Sequence, residues 1–181
     1  MDYKLIRSHR KTVSVRVTPE GEVEVRAPRL YARYKIEAFL RQKEPWIQAQ
    51  LRRRSAAARV QPLTAQEHQV LAEAARKWFS ERTAHFAQLV GVTYGRITIR
   101  TQHTRWGSCS AKGNLNFNCL LMLAPETVRD YVVVHELCHR KEMNHSKAFW
   151  AHVERVLPDY RTQRKWLKDN GAALMAKRPE A

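Results

Sequence analysis

Cysteines are few in this 181-residue chain, and long hydrophobic runs are missing from it. Three cysteines, an odd number without regular spacing, argue against a secreted scaffold held together by disulfides. The longest apolar runs, at 119–124 and 132–134, are far shorter than a membrane span. The first residues, "MDYKLIRSHRKTVSVRV", lack the apolar segment and cleavage site of a signal peptide. These absences predict a cytoplasmic protein without a membrane partner.

Acidic residues are also scarce relative to basic ones. The chain has 33 Lys and Arg against 17 Asp and Glu, a net charge of +16, and the excess is densest in residues 1–62. A field of this sign attracts polyanions such as nucleic acid. The alternative is that the basic residues only keep the protein dispersed in water. The charge therefore suggests DNA or another polyanion as a partner, but it does not identify one.

The amino-terminal third shows a change of hydrophobic period. "TVSVRVT" and "EVEVRA" alternate apolar and polar residues on either side of "PEG", which predicts a β-hairpin with one buried face. A helical pattern begins near Tyr31, and "KEPW" is expected to break it so that Pro45 starts a second helix. We assign residues 1–62 to a basic unit of hairpin plus helices, with 58–65 as a linker.

The remaining chain alternates helical and strand patterns around a central core. A helix is predicted at about 66–90 with Gly91 as its C-cap, followed by a strand at 96–100. "LNFNCLLML" alternates apolar residues with asparagines, and further helices are expected after Pro125 and Ser146. The last helix is predicted to stop at Gly171. We assign 63–171 to a core and 172–181 to a frayed tail, with one continuous domain as the alternative.

Three histidines and a glutamate lie together in "VVVHELCHRKEMNHS", residues 132–146. His135 and His139 are four residues apart and project from one face of a helix, where two imidazoles can hold one zinc ion. Glu136 between them is placed to act as general base on a zinc-bound water. His145, six residues later, can supply a third imidazole after a turn, which leaves a fourth position for water.

Chance alone explains the full pattern poorly. With this composition HExxH arises in roughly one shuffled chain in 40, and with the further histidine in roughly one in 900. The alternatives are ordinary surface histidines or a structural zinc site. Structural sites favour cysteines, however, and give no role to the glutamate. The apolar run before the histidines is expected to embed the helix in the core, and the cysteines are read as small buried residues.

The segment "TRWGSCSAKGNLNFNCLLMLAPETVRDYVVVHELCHRKEMNHSKAFW" resembles the core of the YgjP-like zinc metallopeptidases, which are related to the SprT-like and WLM domains. "RKTVSVRVTPEGEVEVRAP" and "EAFLRQKEPWIQAQL" resemble the lead-in of the same family. The resemblance implies an α+β fold with a zincin-like core, a small antiparallel sheet packed on the HExxH helix. It also implies His135, His139 and His145 as zinc ligands and Glu136 as catalytic base. Glu142 stands where the metzincin pattern has glycine.

The implied reaction is zinc-dependent hydrolysis of a peptide bond in a peptide or protein substrate. An extended substrate is expected to add to a sheet edge near the active helix, with "NLNFN" as the candidate strand. Asn116 and Asn118 are candidate substrate contacts, with a solvated strand face as the alternative. Trp106 is a candidate for the cleft wall, with core packing as the alternative.

Three interpretations from different classes remain open. The first is an intracellular zinc peptidase, and its basic charge favours the hypothesis that it acts on DNA-associated proteins. The second is a basic nucleic-acid-binding module with a structural or vestigial zinc site. The third is a zinc hydrolase of another bond or a chaperone-like adaptor.

Overall fold

The computed structural model describes residues 2–18, 20–58 and 60–179. The chain divides into two compact units, Met1–Val60 and Gln61–Ala181, each with its own buried cluster of apolar side chains. The first unit combines one helix, and the second several helices, with a three-stranded sheet, which confirms the predicted α+β class. In the described part of the chain, no helix is long and apolar enough to cross a membrane.

The sheet of the first unit has the order β1-β3-β2. Strands β2 (Ser14–Val17) and β3 (Val23–Pro28) are antiparallel, and they are the predicted hairpin. Gly21 lies in the turn between them with a φ of 88°, a left-handed conformation that glycine adopts without a steric penalty. Strand β1 (Lys4–Ser8) pairs in parallel with β3 and was not predicted. Its sequence "KLIRS" lacks the strict alternation that marks a half-buried strand.

The expected break at Pro45 is wrong. A single helix, α1 (Arg33–Ala58), runs through this proline. The proline ring removes one backbone donor and clashes with the preceding turn, at a cost of about 3 kcal/mol. Burial of Ile36, Leu40 and Ile47 among the sheet side chains offsets this cost, because each fully buried aliphatic side chain contributes about 1.5–3 kcal/mol.

The second unit begins with a long helix, α2 (Ala65–Val90), close to the predicted range. Thr64 caps it in a capping box, since its side chain accepts from the N–H of Glu67 while the Glu67 carboxylate accepts from the N–H of Thr64. Gly91 ends the helix in the left-handed conformation, with a φ of 74°. The predicted C-cap is confirmed.

The sheet of the second unit is mixed, whereas an antiparallel sheet was expected. Its order is β4-β6-β5, with β4 (Ile97–Arg100) parallel to β6 (Leu115–Asn118) and β5 (Gly107–Cys109) antiparallel to β6. Parallel neighbours need a connection that returns the chain to the starting edge. Residues 101–114 provide it, and they form β5 on the way.

Three helices complete this unit: α3 (Glu126–Cys138), α4 (Lys147–Val156) and α5 (Tyr160–Ala176). A short 3-10 helix, Cys119–Leu123, connects β6 to the segment before α3. The core lies between α2, the sheet and α3, and the rings of Phe79 and Phe117 stack there with centroids 4.5 Å apart.

Helix α5 does not stop at Gly171, so the predicted fraying of 172–176 is wrong. Gly171 is buried, and a Cβ at this position would lie 3.3 Å from Cζ2 of the Trp106 indole. The glycine therefore makes room for a tryptophan and does not end the helix. Beyond α5, the carbonyl of Lys177 accepts a hydrogen bond from the N–H of Leu63, 2.9 Å away, just before α2.

Candidate metal centre

Helix α3 carries the first two histidines on a rigid support. Val133, Val134 and Leu137 are fully buried around them, as the apolar run in the sequence predicted. His135 lies in the last turn of α3, and His139 is the C-cap residue that follows it. The local sequence thus fixes both imidazoles through a helix that is held by the core.

The third histidine reaches the same point from a loop. His145 lies between α3 and α4, and Ser146 then caps α4 by accepting a hydrogen bond from the N–H of Phe149, 3.2 Å away. This cap places the ring of Phe149 against all three imidazoles, with centroid separations of 4.9, 4.6 and 4.8 Å to His135, His139 and His145. Phe149 is fully buried and acts as the apolar wall that holds the cluster together.

The ring nitrogens converge as metal ligands do. One nitrogen from each of the three histidines lies within 4.8 Å of the others, and the Nε2 atoms of His135 and His145 are 3.0 Å apart. Nδ1 of His139 donates a hydrogen bond to the carbonyl of Glu142 at 3.0 Å, which leaves the Nε2 atom of His139 for a metal. Tetrahedral zinc with bonds of about 2.0–2.1 Å requires nitrogens roughly 3.3 Å apart. The donor set suits zinc, and the 3.0 Å separation of the His135 and His145 nitrogens is close to the spacing that zinc requires.

Burial favours the neutral form of two of these imidazoles, His135 and His139. It lowers the pKa of His135 to about 3, and the neighbouring His139 and His145 lower it further. Burial also lowers the pKa of His139, against the opposing effect of its bond to Glu142. A neutral imidazole is the form that binds a metal. His135 and His139 are therefore available as ligands near neutral pH without losing protons.

Glu136 lies in a tight, water-poor environment beside the histidines. Burial raises its pKa to about 8, and the nearby Arg105 opposes this only in part. The backbone of β5 passes directly against its side chain, because a Cβ built on Gly107 would lie 2.6 Å from its Oε1 atom. The carboxyl group lines a cavity of about 220 Å³ together with the three histidines. An acid–base group and a candidate metal site thus share one cavity.

Of the three predicted substrate contacts, Trp106 lies close to the histidine cavity, whereas Asn116 and Asn118 do not line it. Trp106 lines a second cavity beside Glu136. Asn116 donates to Ser108 Oγ at 3.1 Å and accepts from Arg100 Nε at 3.1 Å. Asn118 is only 1% exposed, and its side-chain amide donates to the carbonyls of Gln102 and Arg105. The two asparagines therefore brace the sheet and the 102–105 loop, and neither lines the histidine cavity.

The expectation that a peptide adds to "NLNFN" is wrong. This segment contains β6, which is the central strand and is paired on both sides. Strand β5 is the edge strand that borders the cavity. Its three residues carry no alternation long enough to be recognised in the sequence.

Three contributors to the site were missed from the sequence. Phe149, Gly107 and Arg105 contact or line it from segments outside the histidine motif. Only Phe149 left a usable signal, since it occupies the inner face of the predicted helix after Ser146. The cysteines were expected to be small buried residues. Cys119 and Cys138 are buried, whereas Cys109 is half-buried and lines the cavity.

A known protein family matches most of this chain. The family model described as YgjP-like, metallopeptidase domain, matches residues 11–71 and 63–170. Among solved structures, the chain is similar to the crystal structure of the metallopeptidase zymogen of Pyrococcus abyssi abylysin. That similarity has 23% sequence identity and a TM-score of 0.46, and it covers 50% of this chain and 92% of that one. A search of curated proteins found no match.

Proposed function

The chain belongs to the YgjP-like family of metallopeptidase domains, and we propose that it is a zinc peptidase in which Glu136 is the general base. The observation that carries the proposal is the convergence of three imidazoles beside a buried carboxyl group in one cavity. His135, His139 and His145 would hold the zinc. When bound, zinc supplies Lewis acidity that polarises a carbonyl group and acidifies water.

Glu136 moves the proton in this proposal. Its carboxylate accepts a proton from the attacking water and then donates that proton to the leaving amine, so that it ends the cycle unchanged. The pKa of about 8 in the metal-free chain lies close to neutrality, where a group can both accept and return a proton. A nearby divalent cation favours the ionised form that the first step needs.

Strand β5 is the proposed partner of the substrate backbone. It pairs with β6 on one side only and lines the cavity with Gly107, Ser108 and Cys109. An extended peptide that pairs with an edge strand is held by main-chain hydrogen bonds, which fix the position of its backbone relative to the sheet. Because Gly107 lies against Glu136, such a peptide would bring a scissile bond to the carboxyl group.

The test is the substitution Glu136→Gln in the zinc-loaded protein. Metal analysis is expected to show one retained zinc, while kcat/KM on an unfolded protein substrate falls by about 100-fold or more, because proton transfer is lost. Glu126→Gln, at the start of the same helix, is the matched control and is expected to keep its activity. A Glu136→Gln variant as active as the wild type would contradict the proposal. A zinc-loaded wild type without peptidase activity would instead favour the alternative of a nucleic-acid-binding module with a structural or vestigial zinc site.

A specific feature favours substrates that are associated with DNA. Four exposed cations share one face of α5: Arg161, Arg164, Lys165 and Lys168. The guanidinium of Arg164 lies 4.5 Å from the ring centre of Trp150, and that ring is 5.7 Å from the His145 ring. The stripe thus begins beside the metal centre. We propose that it holds a polyanion such as DNA while proteins on that polyanion are cleaved.

Salt dependence and charge reversal test this refinement. Lys165→Glu with Lys168→Glu is expected to weaken DNA binding and to reduce the dependence of affinity on salt, because fewer counterions are released. The control is Arg76→Glu with Lys77→Glu, which changes the charge equally on exposed positions of α2. Equal losses in both variants, or an affinity that does not change with salt, would remove this refinement and leave the peptidase proposal intact.

A further inference from the structure

A second cavity adjoins the one that holds the histidines. Its volume is about 240 Å³. The two cavities share four lining residues: Arg105, Gly107, His135 and Glu136. A substrate whose reacting bond lies against Glu136 therefore has the atoms next to that bond at the mouth of the second cavity.

The remaining walls of the second cavity are mainly apolar. They are Trp106, Tyr131, Val132 and Leu167. Tyr131 and Val132 are 5% and 4% exposed, so their positions are fixed by the core of the unit.

The loop that contributes Trp106 is also held in place. The carbonyl of Trp106 accepts a hydrogen bond from the N–H of Asn118 at 2.8 Å, and the indole packs against Gly171. The Asn118 side chain holds the preceding residues through Gln102 and Arg105. The pocket is therefore formed before any ligand enters, so little free energy is spent on ordering it.

We propose that this pocket receives the side chain of the residue next to the scissile bond and that it selects an apolar side chain the size of leucine or phenylalanine. The inference rests on the proposed peptidase function and adds a substrate class to it. Each residue of an extended chain adds at most about 3.3–3.6 Å, so the residue next to one at Glu136 is within reach of a cavity that shares this wall. Arg105 adds a positive charge at the rim, and this charge disfavours lysine or arginine in the pocket.

Leu167 is the position at which the pocket can be resized. Leu167→Ala enlarges it and Leu167→Phe fills it. Leu157→Ala is the matched control, because Leu157 is partly buried against the same core cluster and is not among the pocket residues. The readout is the ratio of kcat/KM values for peptides that differ only at the residues flanking the cleaved bond. Thermal unfolding of each variant separates this ratio from a general loss of stability.

Wild-type protein is expected to prefer leucine or phenylalanine over alanine beside the cleaved bond by about 10-fold or more. Leu167→Ala should shift this preference toward phenylalanine, and Leu167→Phe should shift it toward alanine. The ratio in Leu157→Ala should equal that of the wild type. Equal cleavage of all peptides by the wild type, or the same shift in the control, would overturn the inference.

Binding of the same peptides to zinc-loaded Glu136→Gln separates the two proposals. Tighter binding of the leucine peptide than of the alanine peptide, reversed by adding Leu167→Phe, supports the pocket without any turnover. If the wild type cleaves nothing while this binding preference is found, the peptidase function fails and the pocket assignment stands. If the peptides are cleaved but the binding is indifferent to the side chain, the pocket assignment fails and the function stands.

Discussion

At the scale of single residues, Gly107 decides how close β5 comes to Glu136. A Cβ there would lie 2.6–2.9 Å from three atoms of the Glu136 side chain, closer than atoms tolerate. Gly107→Ala is therefore expected to displace the carboxyl group and to lower kcat/KM by about 10-fold or more, while metal analysis shows that zinc is kept.

Gly95→Ala is the control for that prediction. Its Cβ would meet Asn114 Oδ1 at 2.5 Å, a comparable clash with a polar side chain that does not line the histidine cavity. Its effect should be confined to the melting temperature. If the two variants lose activity equally, the close contact with Glu136 has no special role.

The titration of Glu136 makes a prediction about the metal-free protein. Its folded pKa of about 8 lies above the value of 4.5 for an exposed glutamate, so the folded chain holds a proton that the unfolded chain has lost. The free energy of unfolding should therefore fall as the pH rises from 6.5 to 8, by up to about 1.4 kcal/mol per pH unit. Denaturant unfolding at several pH values measures this slope, which Glu136→Gln should remove.

The window above pH 6.5 isolates that contribution. His135 has a pKa of about 3 in the fold against 6.5 for an exposed histidine. Below pH 6.5, His135 therefore binds a proton in the unfolded chain but not in the folded chain. The free energy of unfolding then falls as the pH falls. A wild-type slope above pH 6.5 that persists in Glu136→Gln would contradict the assignment.

How far the sequence predicted the site depends on distance along the chain. His135, Glu136 and His139 were predictable because the helical period alone brings them together. The predicted third ligand, His145, also lies nearby in the sequence, and the structure brings it to the other two. Trp106 was named as a candidate for the cleft wall, but neither the pocket that it lines nor the contact of Gly107 with Glu136 was predicted. The contacts of both residues depend on how a loop about 30 residues upstream of the histidine motif is packed, which no local pattern encodes.

At the scale of secondary structure elements, an ion pair joins α2 to the helix that carries the ligands. Arg82 Nε and Nη2 donate hydrogen bonds to the two carboxylate oxygens of Asp130 at 2.8 and 2.6 Å. This bidentate salt bridge is mostly shielded from water. Arg82→Met leaves the Asp130 carboxylate without its partner and is expected to destabilise the unit by about 2–3 kcal/mol in denaturant unfolding.

A second variant tests the cause of that loss. Arg82→Met combined with Asp130→Leu removes both charges, so it should recover most of the lost stability, because no charge is then buried without its partner. If the double variant is as unstable as Arg82→Met, the loss comes from packing of the arginine stem rather than from the carboxylate.

Elements were predicted best where they are long and bounded by strong signals. The capping box at Thr64 and the left-handed Gly91 delimit α2 in both sequence and structure. Pro45 and Gly171 misled the prediction, because tertiary packing overrides the local preference of each residue. The three-residue β5 is too short for a periodic signal, and no local pattern reveals that β4 and β6 are parallel.

At the scale of the whole molecule, the core does not depend on the metal. A continuous cluster of buried apolar residues spans α2, α3, α4 and the sheet of the second unit. Removal of zinc with a chelator is expected to leave the far-ultraviolet circular dichroism spectrum unchanged. Zinc at 100 times its Kd should add about 2.7 kcal/mol to the free energy of unfolding and raise the melting temperature.

His145→Ala serves as the control for this prediction. It removes one of the three candidate ligands while the other two remain on α3 and its cap. Its melting temperature should respond much less to added zinc. Unfolding of the wild type by a chelator would show instead that the ion is needed to form the fold.

The hydrogen bond between Leu63 and Lys177 has a consequence for protein engineering. It places the entry and exit of the second unit side by side, as in domains that tolerate insertion into a host protein. This unit is therefore suited to transplantation as a cassette into a surface loop of another protein. A short peptide joining its two ends would equally permit circular permutation, with new termini opened at the exposed Pro158.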